Sequence, residues 1–165
     1  KNDNIDKGKL GTAYHKIMEQ IDWDKPLNRE EFAKILDKIN LPEEYKNIIN
    51  FEKIATCENN IKELGKIVVG REIPFMSYIP YNQIFGKGTN KKILVQGVAD
   101  MLLSDGKHNW LIDYKTTKAT HPDQLVEKYK VQLMLYQKCL QYALGQKIDG
   151  AYIYSFALDE LIRVL

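Results

Sequence analysis

Between Val68 and Thr117 short apolar runs are divided by polar and turn residues, as in strands, and from Gln124 to Leu144 the apolar residues recur at spacings of three and four. "VVGREIPFMSYI", "ILVQGVADMLLSDG" and "NWLIDYKTT" read as strands, the last two joined by a tight turn at Asp105 and Gly106. The later segment carries Val126, Tyr129, Leu133, Tyr136, Leu140 and Leu144 on one side of a helix that ends near Gly145. "IDGAYIYSFALDELIRVL" supplies one or two closing strands.

Ahead of the strands the chain is helical. "LGTAYHKIMEQI" spaces Leu10, Tyr14, Ile17, Met18 and Ile21 as a helix, and "NREEFAKILDKI" opens on Asn28 as a cap. A third helical stretch runs from about Pro42 to Ile67, with a break expected near Thr56 to Asn60. Helices, three strands, a helix and a strand, with strands apolar on both faces, predict an α/β fold. Its central mixed sheet is flanked by helices, after an N-terminal helical segment.

The 165 residues suit one domain with a real core. The opening "KNDNIDKGK" lacks a Met, so residues 1–9 read as a polar lead or linker of a longer polypeptide, and 10–165 as the domain. Cys57 and Cys139 stand far apart, which argues against a disulfide framework, a zinc site or an iron–sulfur cluster and agrees with a reducing cytoplasm. No apolar run approaches the roughly 18 residues of a membrane span. A net charge of +2 does not by itself indicate nucleic acid.

Two charges then demand a reason. Asp113 and Lys115 lie two apart near the end of an apolar strand and share a face, with Trp110, Ile112 and Tyr114 on the other. Asp100 interrupts the preceding run, "GVADMLL". If these strands pair across the turn, the two carboxylates converge and repel, and the remedy is a shared proton or a bound cation. A lysine beside them favours the cation, because phosphodiester hydrolysis requires carboxylates for a divalent metal and an ammonium for phosphate. Magnesium is the first candidate. The residue types leave a two-carboxylate glycosidase open, but that reading explains neither Lys115 nor His15.

"GVAD" followed by "IDYKT" resembles the core of the PD-(D/E)xK nucleases, a restriction-endonuclease-like fold. "GTAYH" is similar to the GxxxH element and "QLMLY" to the QxxxY element of the RecB-like branch. The wording of "REIPF", "VQGVAD" and "LIDYKT" is nearest to the C-terminal nuclease domains of the AddA subunits in bacterial AddAB helicase-nucleases. The match runs from about Gly8 to the end.

The resemblance implies that Asp100, Asp113 and the Tyr114 backbone carbonyl bind the metal, with His15 as a further ligand. Asp100, Asp113 and Lys115 would be catalytic, and Gln132 and Tyr136 would orient Lys115 or the DNA. Glu72 recurs in such proteins and reads either as an ion pair with Arg71 or as a contributor to the site. The implied cofactor is magnesium, with manganese as a substitute and no iron–sulfur cluster.

The implied substrate is DNA, chiefly single strands fed by a helicase region of the same polypeptide. An AddB-type subunit would be the partner, in repair of double-strand breaks by recombination. No GxxxxGK[ST] element is present, so ATP use would belong to that helicase region. The alternative is an inactive nuclease fold kept for DNA binding or subunit docking. His108 and His121 read as solvated. Lys87, Lys91 and Lys92 in "GKGTNKK", and Lys118, Lys128 and Lys130, suit phosphate contacts or a solvated face.

Overall fold

A computed structural model describes residues 5–165. Positions 1–4 of the polar lead lie outside the described residues. Helix α1 (Lys7–Gln20) begins earlier than the apolar pattern suggests, because the Asp6 side chain accepts from the amides of Gly8 and Lys9 and so caps it. Then come α2 (Arg29–Lys38), α3 (Glu43–Lys46), α4 (Phe51–Leu64), β1 (Ile67–Pro80), α5 (Tyr81–Phe85), β2 (Lys92–Ser104), β3 (Asn109–Lys115), α6 (Pro122–Leu144), β4 (Gly150–Ser155) and β5 (Glu160–Arg163).

The third helical stretch is broken at Asn47–Asn50, not at Thr56–Asn60. Asn50 caps α4 by accepting the Lys53 amide at 3.0 Å. The Thr56–Asn60 segment stays helical because it carries a buried side: Cys57 and Glu58 are buried with Ile54 and Ile61, and packing overrides weak propensity. The turn between β2 and β3 is longer than expected. Residues 105–108 form the loop, in which the Asp105 side chain accepts the amides of Lys107 and His108 and Gly106 takes φ +95.

The five strands form one sheet in the order β1-β2-β3-β4-β5, antiparallel except for the parallel pair β3-β4. Helix α6 makes the crossover that this parallel pair needs. Alternation along the strands divides the core in two. Met101, Leu103, Ile112, Tyr114 and Tyr154 pack under α1, α2 and α4, while Leu102, Leu111 and Ile153 pack under Leu125, Leu133 and Leu140 of α6. Among the described residues no helix is long and apolar enough to cross a membrane.

Two irregularities shape the middle of the sheet. The β2-β3 ladder stops at Met101↔Ile112, so Asp100 and Asp113, which would follow, do not pair as strand neighbours. On the other side of β2, the register Arg71↔Met101 and Ile73↔Ala99 places Glu72 opposite Asp100. Glu72 has φ +48, a left-handed conformation that glutamate rarely adopts and that costs about 1–3 kcal/mol.

Candidate active site

Asp100 sits at the fork where β2 leaves β3. Its Oδ2 accepts the Tyr114 amide at 2.7 Å, replacing the missing strand hydrogen bond, and its Oδ1 lies 3.1 Å from His15 Nδ1. Asp100 is 6 % exposed, so both contacts act with little water between them. His15 reaches it from α1, one turn beyond Gly11. A Cβ at Gly11 would come within 3.3 Å of Thr116 Oγ1, so glycine there lets α1 lie close against the chain leaving β3.

Asp113 and Lys115 share the α6 side of β3, as their spacing predicts. The Lys115 ammonium is 2.8 Å from Asp113 Oδ2, donates to Gln132 Oε1 at 3.1 Å and stands 4.4 Å from the centre of the Tyr129 ring. Gln132 Nε2 donates in turn to the Tyr136 hydroxyl at 3.3 Å. Tyr136 rests directly on β2 at Gly97, where a Cβ would lie 2.8 Å from its hydroxyl and 2.9 Å from Phe75. A relay of side chains therefore runs from Gly97 through Tyr136 and Gln132 to Lys115.

His15, Glu72 and Asp100 each present one ligand atom, and these atoms all lie within 4.8 Å of one another. The left-handed φ of Glu72 turns its backbone at this point. Arg71 does not pair with Glu72; its guanidinium donates to the carbonyls of Glu19 and Ile21 at the end of α1. The ion-pair reading of Glu72 gives way to a place in the cluster.

The electrostatics describe a site with an excess of negative charge. Burial, then the charge of Asp100, raises Glu72 to about 7. Asp113 is also pushed up, by its burial first and by Asp100 next. The hydrogen bond to Asp100 raises His15. For Lys115 burial acts downward, but Asp113 outweighs it and the ammonium is held above its ordinary value. Asp113 Oδ2 is buried and, although close to Lys115, accepts no well-aligned hydrogen bond. Hard oxygen donors with raised carboxyl pKa values, one orphaned buried oxygen and an adjacent imidazole suit a divalent cation.

Every site residue drawn from the sequence falls in this region. Asp100 joins His15 on one side and the Tyr114 peptide on another, and Asp113 lies with Lys115, Gln132 and Tyr136. The pattern did not single out Tyr129 or Gly97 for the site. Tyr129 precedes Gln132 by three on the same face of α6, a spacing that carried the signal.

The description PD-(D/E)XK nuclease superfamily fits residues 1–161, and the chain belongs to that superfamily. The motifs "GVAD" and "IDYKT" had pointed to it. Among its relatives, several are each named as one subunit of an ATP-dependent helicase/nuclease. One from Clostridium perfringens is 31% identical over 94% of this chain. One from Clostridium botulinum is 31% identical over 97%, and one from Listeria monocytogenes 28% over 94%. The chain spans 14% of the length of each.

Proposed function

We propose that this chain is the nuclease domain of a helicase-nuclease and hydrolyses DNA phosphodiester bonds with a divalent metal, magnesium in preference and manganese as a substitute. The observation that carries this reading is the cluster of ligand atoms from His15, Glu72 and Asp100 at the fork between β2 and β3, with Asp113, which feels the charge of Asp100, and Lys115 beside it.

Asp100, Asp113, His15 and the Tyr114 carbonyl would hold the ion, with Glu72 beside them. When bound, magnesium supplies Lewis-acid polarisation of a phosphoryl oxygen and a more acidic water. Asp113 and Gln132 fix the Lys115 ammonium, which offsets charge developing on the phosphate and orients the attacking water. Tyr136 keeps Gln132 in place. The Asp100 carboxylate holds the Tyr114 peptide, so the strand that carries Asp113 and Lys115 is positioned by the residue it works with.

By their names, the relatives couple this domain to an ATP-dependent helicase. Chiefly single-stranded DNA would arrive from that motor, with an AddB-type subunit in the complex, during cytoplasmic repair of double-strand breaks by recombination. The test is cleavage of an end-labelled single-stranded oligonucleotide in magnesium and in chelator. Metal-dependent cutting that disappears in Lys115→Ala supports the reading. Undiminished cutting by Lys115→Ala, or metal-independent cutting, contradicts it.

A further inference from the structure

A cleft of about 650 Å³ opens where the chain leaves the parallel strands β3 and β4. Thr116, Thr117 and Lys118 form one wall and continue directly from Lys115. Lys7 of α1 and Lys128 of α6 stand on the rim, and Leu10, Tyr14 and Phe156 form the apolar side. Among the described residues no carboxylate lines it. Tyr14 and Phe156 are stacked, with ring centres 4.0 Å apart, so the apolar wall is rigid.

The lysines are not equivalent. Lys53 also borders the cleft, but Asp159 neutralises it at 2.9 Å and it donates to the Phe156 carbonyl. Lys7, Lys118 and Lys128 are exposed and form no ion pair among the described residues. Three unneutralised cations on the rim of one cleft fit a polyanion. A cleft of this size suits one nucleic-acid strand better than a duplex, with its phosphates at the three lysines of the rim.

Position decides between this cleft and the other basic segment. The loop carrying Lys87, Lys91 and Lys92 lies at the far end of the β1-β2 ribbon, where Lys92 pairs with Pro80. Eight residues of β2 separate Lys92 from Asp100, about 26 Å at strand rise. Lys118 follows Lys115 by three residues, at most about 10 Å along the chain.

We infer that this cleft is the track for the single strand next to the cutting site, with Lys7, Lys118 and Lys128 as its phosphate contacts. The inference rests on the nuclease reading for its substrate, and its test is separable from that reading. Binding of a fluorescent single-stranded oligonucleotide is measured by anisotropy in chelator, where no cutting occurs, across a salt series.

The triple variant Lys7→Gln, Lys118→Gln, Lys128→Gln is compared with Lys87→Gln, Lys91→Gln, Lys92→Gln, which removes the same charge. The cleft variant is expected to bind at least about tenfold more weakly, with a log–log salt slope shallower by about 2, from roughly 0.7 per lost single-strand phosphate contact. The loop variant should stay within about twofold of wild type.

Equal losses in the two variants, wild-type affinity in the cleft variant, or no binding by wild type would each overturn the inference. The second of these outcomes would leave the cleft for a protein segment. Intact binding in chelator without any cutting in magnesium would count against the nuclease reading and leave the track standing.

Discussion

The Tyr114 amide donates to Asp100 Oδ2 at 2.7 Å at the point where β2 and β3 have stopped pairing. One carboxylate therefore stands in for a strand carbonyl and also belongs to the acidic cluster. This double duty makes separable predictions, since an amide side chain can do the first job and not the second.

Asp100→Asn keeps an oxygen for the Tyr114 amide and removes the charge that opposes Asp113 and Glu72. In metal-free buffer near pH 7.5 its melting temperature should equal or exceed that of wild type, while cutting falls at least about 100-fold. Asp100→Ala strands the buried amide at a cost of about 1–3 kcal/mol, a fall of roughly 2–10 °C. Thermal melts beside an oligonucleotide assay check both.

Gly97→Ala should injure the centre from a distance. Its Cβ would meet the Tyr136 hydroxyl and Phe75 below 3.0 Å, and Tyr136 must shift, taking Gln132 and the support of Lys115 with it. The expected outcome is about 1–3 kcal/mol of lost stability and a cutting rate about tenfold lower at saturating DNA. Denaturant unfolding and single-turnover rates measure the two effects.

Lys115→Met removes the ammonium but keeps much of the volume. Cutting should fall by about 100-fold or more, as when one electrostatic contact to a developing charge is lost. Asp113 then loses its cation, and metal affinity should be retained or increased. Calorimetry and single-turnover cleavage on the same preparation distinguish this from unfolding.

The raised pKa values set a pH dependence for the metal-free protein. Glu72 is about 7 in the fold against an ordinary 4.5, so the folded state binds more protons between those values. That part of the stability is complete below the unfolded pKa and is lost as pH rises toward 7. Asp113, also raised, acts in the same direction, and His15, raised by Asp100, loses its contribution as pH passes its folded pKa. Melting temperature should fall by a few degrees between about pH 5 and 7.5, and Glu72→Gln should flatten the trend.

Much of this was legible in the sequence because it follows from period. Strand alternation put Asp113 and Lys115 on one side of β3 and Ile112 and Tyr114 on the other, and the spacing of Leu133, Tyr136 and Leu140 defined α6. The break expected at Thr56–Asn60 falls instead before α4, where the Asn50 cap and the buried Ile54, Cys57, Glu58 and Ile61 decide it. Glu58 pairs with Lys62 one turn on, but it is also held by the Leu27 amide, a contact from 31 residues away that sequence spacing does not reveal. The place of Glu72 was not legible either. It depends on a positive φ in β1 and a register opposite Asp100, both set by tertiary structure.

The most direct test of the central claim is calorimetric titration of magnesium and manganese into the wild-type chain and Asp100→Ala, with single-stranded DNA cleavage followed on the same samples. The account predicts metal binding by wild type, metal-dependent cutting, and loss of both in the variant. If wild type binds no divalent metal, or if Asp100→Ala binds and cuts as wild type does, the cluster at the fork of β2 and β3 is not a catalytic metal centre.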